Sequence, residues 1–323
     1  MIAKMIGRLA MMIALLCLAV PASAQNYPTG VVKIIVPFGA GGITDLYGRL
    51  VAEELSKSLN GTVIVENRPG QGGSLGPASV ARSAPDGLTL LLVGSANSIG
   101  ASLFKSLPYN LLKDFAPIGR TAAIVNVLIV NPKVQAKDVK ELVALTKANP
   151  GKMTYGSAGV GSVYHLAMEL FKSMSGADLL HVPYRVESAS RAAVIAGEVD
   201  MIVTAYGVAS SAIEAGQVRA VAITSPVRSP VAPDIPTIAE SGLPGYDGDA
   251  YIGLVAPAGT PKAIIDRISA EVTKIHQKPE FRGKLSKAGL TPIDDTPEKF
   301  AEFLKSDVEK WKKVLDFANV KVN

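Results

Sequence analysis

The sequence predicts an α/β protein of two lobes, and three observations carry that prediction. Short β-rich runs alternate with helical patterns along most of the chain, as parallel βαβ units require. The strand–glycine turn–helix unit Lys33–Leu55 (KIIVPFGAGGITDLYGRLVAEEL) recurs as Met153–Met174 (MTYGSAGVGSVYHLAMELFKSM), far along the chain. The length of 323 residues, with a single cysteine, allows a large core without disulfides.

The N-terminus reads as a leader. Lys4 and Arg8 form a charged region, Leu9–Val20 is apolar, and Ala22-Ser23-Ala24 is an A-x-A cleavage site before Gln25. The apolar run falls short of the ~20 residues a membrane span needs. Cys17 follows Leu16 rather than a small residue, which argues for simple secretion over lipidation. Cleavage near Ala24-Gln25 removes Cys17, Lys4 and Arg8, so the mature net charge falls from +5. The remaining basic residues are scattered, and the Lys-rich run VEKWKKVL near the C-terminus reads as a solvated helix face. Nucleic acid is therefore not an expected partner.

The first series of elements runs VVKIIVPF, ITDLYGRLVAEELSKSL, TVIVENRP, SLGPASVARSA and LTLLLVGS. Leu46, Leu50, Val51 and Leu55 recur at near-helical spacing, with Thr44 and Asp45 as candidate caps. A second series starts at VNVLIVNP and ends at VRAVAITS, punctuated by Pro132, Pro150, Pro183 and Gly216. A proline-rich stretch, Pro226–Pro244, leads to YIGLVAPAGTP and amphipathic helices near Lys262–Gln277 and Pro297–Phe317. These patterns place lobe 1 at 25–125 and 225–323, with lobe 2 inserted at 126–224. The crossings fall near Asn126–Val130 and Val221–Thr224.

Each glycine turn opens a helix whose first N–H groups lack intrahelical partners and favour an anion. Two such turns in separate lobes suggest a cleft gripping a small acid. Taken alone, either is also an ordinary strand–helix turn. The first fails the dinucleotide register because Thr44 stands where the last glycine belongs, and no Gly-Lys-Ser/Thr makes it a P-loop. Ser162 reads as a helix N-cap with His165 in the first turn; His165 is a better structural residue than general base. His181 ends a strand, and His276 lies on a surface-looking helix. HExxH and CxxC are absent, so neither metal nor cofactor is expected. Asn67–Gly73 is a third glycine loop, in which Arg68 reads as a structural partner of Glu66 rather than a ligand clamp.

The run VPFGAGGITD, ENRPGQGGSLG, ARSAPDGLTLLL, YGSAGVGS with HLAMELF, HVPYR, RSPVAPDIPTIAESGLPGY and YIGLVAPAGTP resembles, in order and spacing, a Bug-type extracytoplasmic solute receptor. Such receptors are the binding component of tripartite tricarboxylate transporters. The resemblance spans essentially the whole mature chain. It implies a type II, periplasmic-binding-protein-like Venus flytrap in the periplasm. The expected partners are a small mono- or dicarboxylate and integral membrane transporter subunits, and the receptor itself is expected as a monomer. By position it assigns ligand contacts to Phe38, Gly41 and Gly42, to Ser95, and to Ser157, Gly159, Gly161, Ser162 and His165.

Two departures bear on the ligand. Val186-Glu187 follow HVPYR where the family usually has Gly, and MIVTAYG replaces a common Met-Phe-Asp-Asn, leaving Thr204, Ala205 and Tyr206. Loss of that acid disfavours an amino-acid ligand and favours one with a polar or aromatic far end, with Tyr206 as a stacking surface. Two other readings share parts of these features: a sensor subunit on the same fold, and a secreted hydrolase using Ser162 and His165. The hydrolase lacks an identified acid and a nucleophile elbow.

Overall fold

The computed structural model describes residues 27–70 and 73–320. The expected leader, its cleavage site, and Gln71 and Gly72 of the third glycine loop lie outside the described residues. Among the described residues, no helix is long and apolar enough to cross a membrane.

Two sheets organise the chain. The first is built from β1 (Val32–Val36), β2 (Val63–Asn67), β3 (Thr89–Gly94), β4 (Phe115–Ile124), β10 (Ala250–Pro257) and β11 (Leu290–Pro292), in the order β11-β4-β10-β3-β1-β2. The second, ordered β7-β6-β8-β5-β9, contains β5 (Asn126–Val130), β6 (Met153–Ser157), β7 (Leu179–Pro183), β8 (Met201–Ala205) and β9 (Arg219–Ile223). The parallel pairing expected from the alternation holds for β1 with β2 and β3, and for β6 with β7 and β8. Strands β10 and β5 run antiparallel to both of their neighbours. The sequence reading passed over β4, whose Gly119, Arg120 and Thr121 interrupt its apolar pattern.

The strand period of two sorts the core residues onto the two faces of each sheet. In the first sheet Ile34, Leu90 and Leu92 pack with α1 (Ile43–Ser58) and α8 (Lys262–His276), whereas Ile35, Leu91 and Val93 pack with α10 (Pro297–Phe317) through Phe300 and Leu304. In the second sheet Leu128 and Val130 face α4 (Val139–Ala148) and α5 (Val163–Ser175), while Val127 and Ile129 face α6 (Glu187–Ala196) and α7 (Tyr206–Glu214). Both faces are covered, so the strands read as continuous apolar runs.

The chain passes from β4 to β5 at Ile124–Asn126. Its return is later than Val221–Thr224. After β9 the proline-rich segment stays on the second sheet: Ile238 and Tyr246 are buried in that core, and Tyr246 OH donates to the Ala167 carbonyl at 2.9 Å. Ala232, Ile238 and Tyr246 of this segment thus pack with the expected second lobe, while Ser229 Oγ lies 3.2 Å from Thr291 Oγ1 of β11. His276, expected on a surface, is fully buried between Tyr47 OH (3.2 Å) and Asp294 Oδ1 (2.6 Å).

The two halves also touch away from the crossing strands. Ile99 and Leu103 of α3 (Ser95–Leu103) and Trp311 and Leu315 of α10 pack against Leu166 and Leu170 of α5. Trp311, the single tryptophan of the chain, is wholly buried in this seam.

Candidate functional site

Three helix N-termini meet one cavity. Helix α1 follows β1 through the glycine loop, α3 follows β3 directly at Gly94-Ser95, and α5 follows β6 through residues 158–162. All three start at the carboxyl ends of parallel strands, where open α/β sheets place their ligands. Gly42, Ile43 and Thr44, then Gly94, Ser95 and Ala96, then Ser162, Val163 and Tyr164 line a cavity of about 630 Å³ between the halves. Its volume falls within the roughly 300–1,000 Å³ of small-molecule sites. The rest of the lining includes Phe38, Pro69, Ile124, Ala250 and Tyr251, with no charged residue among those described.

The first loop is held from behind. Asp45 Oδ2 accepts from the Gly41 N–H at 2.9 Å and from Arg49 Nε at 3.0 Å, and Oδ1 accepts from Asn67 Nδ2 at 2.9 Å. Asn67 Nδ2 also donates to the Phe38 carbonyl at 3.1 Å, fixing the residue that lines the cavity. Burial opposes the Asp45 charge, but hydrogen bonds from Arg49, Gly41 and Asn67 outweigh it and hold the carboxyl below the usual range. Gly41 takes φ +83°, a conformation that favours glycine. Its N–H is spent on Asp45, and it is not among the lining residues.

The second loop rests on buried side chains. Ser162 caps α5 by accepting from the His165 N–H at 3.2 Å. His165 Nδ1 accepts from the Gly161 N–H at 3.1 Å, and its ring stacks on His181 at 4.0 Å between centroids. Ser157 Oγ lies 2.6 Å from His181 Nε2 and accepts from the Gly159 N–H at 3.1 Å. Burial, then the neighbouring His181 and Lys172, push His165 down to about 3. Its imidazole is therefore neutral and serves as a hydrogen-bond acceptor for the loop. The ring nitrogen faces Gly161 rather than Ser162 Oγ, so the nucleophile–base pair of the hydrolase reading is not assembled.

Of the sequence-expected contacts, Phe38, Gly42, Ser95 and Ser162 line the cavity. Ser95 Oγ also accepts from the Tyr251 N–H at 3.2 Å, tying α3 to β10. Gly41, Ser157, Gly159, Gly161 and His165 are not among the lining residues and instead shape the two loops. Thr204 is buried and donates to Glu187 Oε1 at 2.5 Å, and Tyr206 packs with the apolar cluster around α7. Neither lines the cavity. Arg68 pairs with Glu66 at 2.7 Å, as read from the sequence.

The sequence reading missed Asn126 and Tyr164. Tyr164 stands beside the expected Ser162, and Asn126 is a polar residue within the apolar run VNVLIV. A second hollow of about 220 Å³ lies by the crossing strands, where Arg120 pairs with Asp295 at 2.8 Å, Arg228 with Glu240 at 2.6 Å and Lys310 with Asp247 at 3.4 Å. Among the described residues no group of three or more His, Cys, Asp or Glu is placed to hold a metal ion.

Solved structures with this architecture include Rpa4515 of R. palustris with adipate, 29% identical with a TM-score of 0.77 over 91% of this chain and 99% of that one. MatC of Rhodopseudomonas palustris, with bound malate, is 31% identical with a TM-score of 0.73, covering 90% and 100%. BugT of Bordetella pertussis is 33% identical over 97% of this chain and 96% of its own length. A protein from the tcbD-tcbE intergenic region of Pseudomonas sp. strain P51 is 34% identical over 90% and 86%. The sequence pattern of the tripartite tricarboxylate transporter family receptor matches residues 47–320. Two sheets, three helix ends on one uncharged cleft and this breadth of sequence agreement lead to one assignment: the chain belongs to the tripartite tricarboxylate transporter receptor family.

Proposed function

We propose that this receptor captures a small organic carboxylate between its two lobes outside the cytoplasm and hands it, as a monomer, to integral membrane subunits of its transporter. The observation that carries the reading is the convergence of α1, α3 and α5 on a cavity lined by no charged residue among those described. The first-turn N–H groups of each helix have no intrahelical acceptor, so a carboxylate there gains charge-assisted hydrogen bonds, each worth about 1.5–3 kcal/mol. The helix dipoles add up to about 2 kcal/mol in partly buried geometry. Adipate in Rpa4515 and malate in MatC support a carboxylate as the ligand class.

In this reading the crossings at 124–126 and 247–250 form the hinge, and the apolar seam around Trp311 is made on closing. A ligand shifts that balance only through its differential affinity for the closed form. The test is acrylamide quenching of Trp311 with a panel of mono- and dicarboxylates. Saturating ligand should lower the quenching constant and raise the melting temperature, by about 2.7 kcal/mol of stability at 100-fold excess over Kd. A panel without effect on either readout would sink the proposal.

A further inference from the structure

Asn126 opens β5 where the chain crosses between the sheets. Its backbone is engaged: the carbonyl accepts from the Thr224 N–H at 3.0 Å, and the residue pairs with Ala205 in the strand register. Its side chain is not. Asn126 is 0% exposed, and neither Oδ1 nor Nδ2 has a hydrogen-bond partner among the described residues. The same residue lines the interlobe cavity.

A buried primary amide with nothing to bond is costly, and such groups are rare enough that each needs a cause. Packing alone would be served by an aliphatic residue, as at Val125, Val127 and Leu128 on either side. Two other polar residues of the lining are already committed. Tyr251 OH pairs with Ser98 Oγ at 2.8 Å, and Ser95 Oγ accepts from the Tyr251 N–H. The amide therefore keeps its NH2 donors and its carbonyl acceptor unspent in the wall of this cleft.

We propose that Asn126 is a specificity-determining residue, reading an uncharged group that both donates and accepts at the end of the ligand remote from its carboxylate. This rests on the carboxylate-receptor reading of the same cavity. With the carboxylate on the helix ends, the far end of the ligand reaches the crossing strands. A carboxamide pairs with both atoms of Asn126, and a hydroxyl can do the same with one oxygen. A second carboxylate uses only Nδ2 and sets its charge against Oδ1, with no cation in the lining to offset the lost hydration. An alkyl end satisfies neither atom. The preferred ligands are monocarboxylates with a neutral polar terminus, ahead of dicarboxylates of the same skeleton. Sites built around a hydrogen bond discriminate strongly against analogues that lack it.

The test is calorimetry on the purified mature receptor with two matched series. One is hexanoate, 6-hydroxyhexanoate, adipamate and adipate; the other is benzoate, 4-hydroxybenzoate, 4-carbamoylbenzoate and terephthalate. In whichever skeleton fits, the carbamoyl or hydroxy acid should bind at least about tenfold tighter than both the unsubstituted acid and the dicarboxylate. Asn126→Leu should bring the neutral-ended acids to within about threefold of one another. Asn126→Asp keeps the shape but offers no donor, and should penalise the dicarboxylates most. A dicarboxylate that binds tightest to the wild type overturns the inference, as does a polar-end preference that survives in Asn126→Leu. If the variants fail to fold, the wild-type ranking decides alone. Binding by the acids without any preference at the far end defeats this inference only. No binding by any acid defeats the receptor reading as well.

Discussion

Gly161→Ala separates loop strain from lobe closure. Gly161 sits at φ +79°, and a β-carbon there would stand 2.6 Å from Leu103 Cδ2. Placing alanine in the left-handed region costs about 1–2 kcal/mol, whether the lobes are apart or together. The overlap with Leu103 is different, because Gly161 belongs to the loop before α5 whereas Leu103 ends α3 on the other half. Overpacking typically costs about 1–3 kcal/mol, and the low end applies here because the obstacle is the tip of a half-buried, flexible side chain. That second cost, about 1 kcal/mol, arises only when the lobes meet. The free protein should therefore melt a few degrees lower, at roughly 2–4 °C per kcal/mol. Ligand affinity should fall a further fivefold or so. Calorimetry and thermal melts on Gly161→Ala, Leu103→Ala and the double variant complete a cycle. In the Leu103→Ala background the alanine at 161 should cost less than twofold in affinity while still lowering the melting temperature. An affinity loss of the same size in both backgrounds would refute the closure argument, and so would wild-type affinity in Gly161→Ala.

Two further outcomes follow from the charges. His165, held near 3 in the fold against ~6.5 unfolded, binds fewer protons folded than unfolded, so its contribution to stability falls as pH drops below about 6.5. At pH 5 this amounts to about 2 kcal/mol relative to pH 8. Asp249 works in the opposite sense, since burial and then Asp247 raise its carboxyl to about 7. Denaturant melts should therefore be read as the difference between wild type and His165→Asn, which keeps an acceptor for Gly161; a difference that does not change with pH would reject the neutral-imidazole account. Arg68→Ala and Arg185→Ala should each change affinity less than about threefold by calorimetry, because Arg68 is committed to Glu66 and Arg185 is exposed, and neither lines the cavity. A loss of tenfold or more would place a charge in the site.

The glycine turns were legible because a tight turn leaves a local mark. Gly41, Gly159 and Gly161 all take positive φ, and Ser162 caps its helix as its position before VYHL suggests. What sequence order hides is which atoms those turns leave free. Gly41 and Gly161 were read as donors to a ligand, yet their N–H groups are bonded to Asp45 and His165 four residues on. Of the expected glycines, Gly42 lines the cavity at the N-terminus of α1, whereas Gly41 and Gly161 stand outside the lining. Asn126 was hidden for a second reason: one polar residue in an apolar strand gains meaning only when its lack of partners is seen in three dimensions. His276 was misread because α8 is amphipathic and its last turn looks polar, whereas the packing of Phe281 and Tyr47 closes over it.

The departure at MIVTAYG can now be weighed against the rest of the cleft. Where the resemblance leads one to expect Met-Phe-Asp-Asn, the chain reads MIVTAYG with no acid, but Glu187 at the start of α6 brings a carboxylate to Thr204. That carboxylate is already bound. Arg191 Nη1 contacts Oε1 at 3.0 Å and Oε2 at 2.9 Å, and the Thr204 hydroxyl donates to Oε1. A carboxylate neutralised by its own arginine offers little to a ligand ammonium, and Glu187 is not among the cavity-lining residues. With Glu187 locked to Arg191, the lining carries no charged residue among those described, and the helix ends supply its only field. Such a cleft matches a ligand with one carboxylate and a neutral remainder. On the proposal made for Asn126, an uncharged amide rather than a lysine or a second acid suits such a cleft.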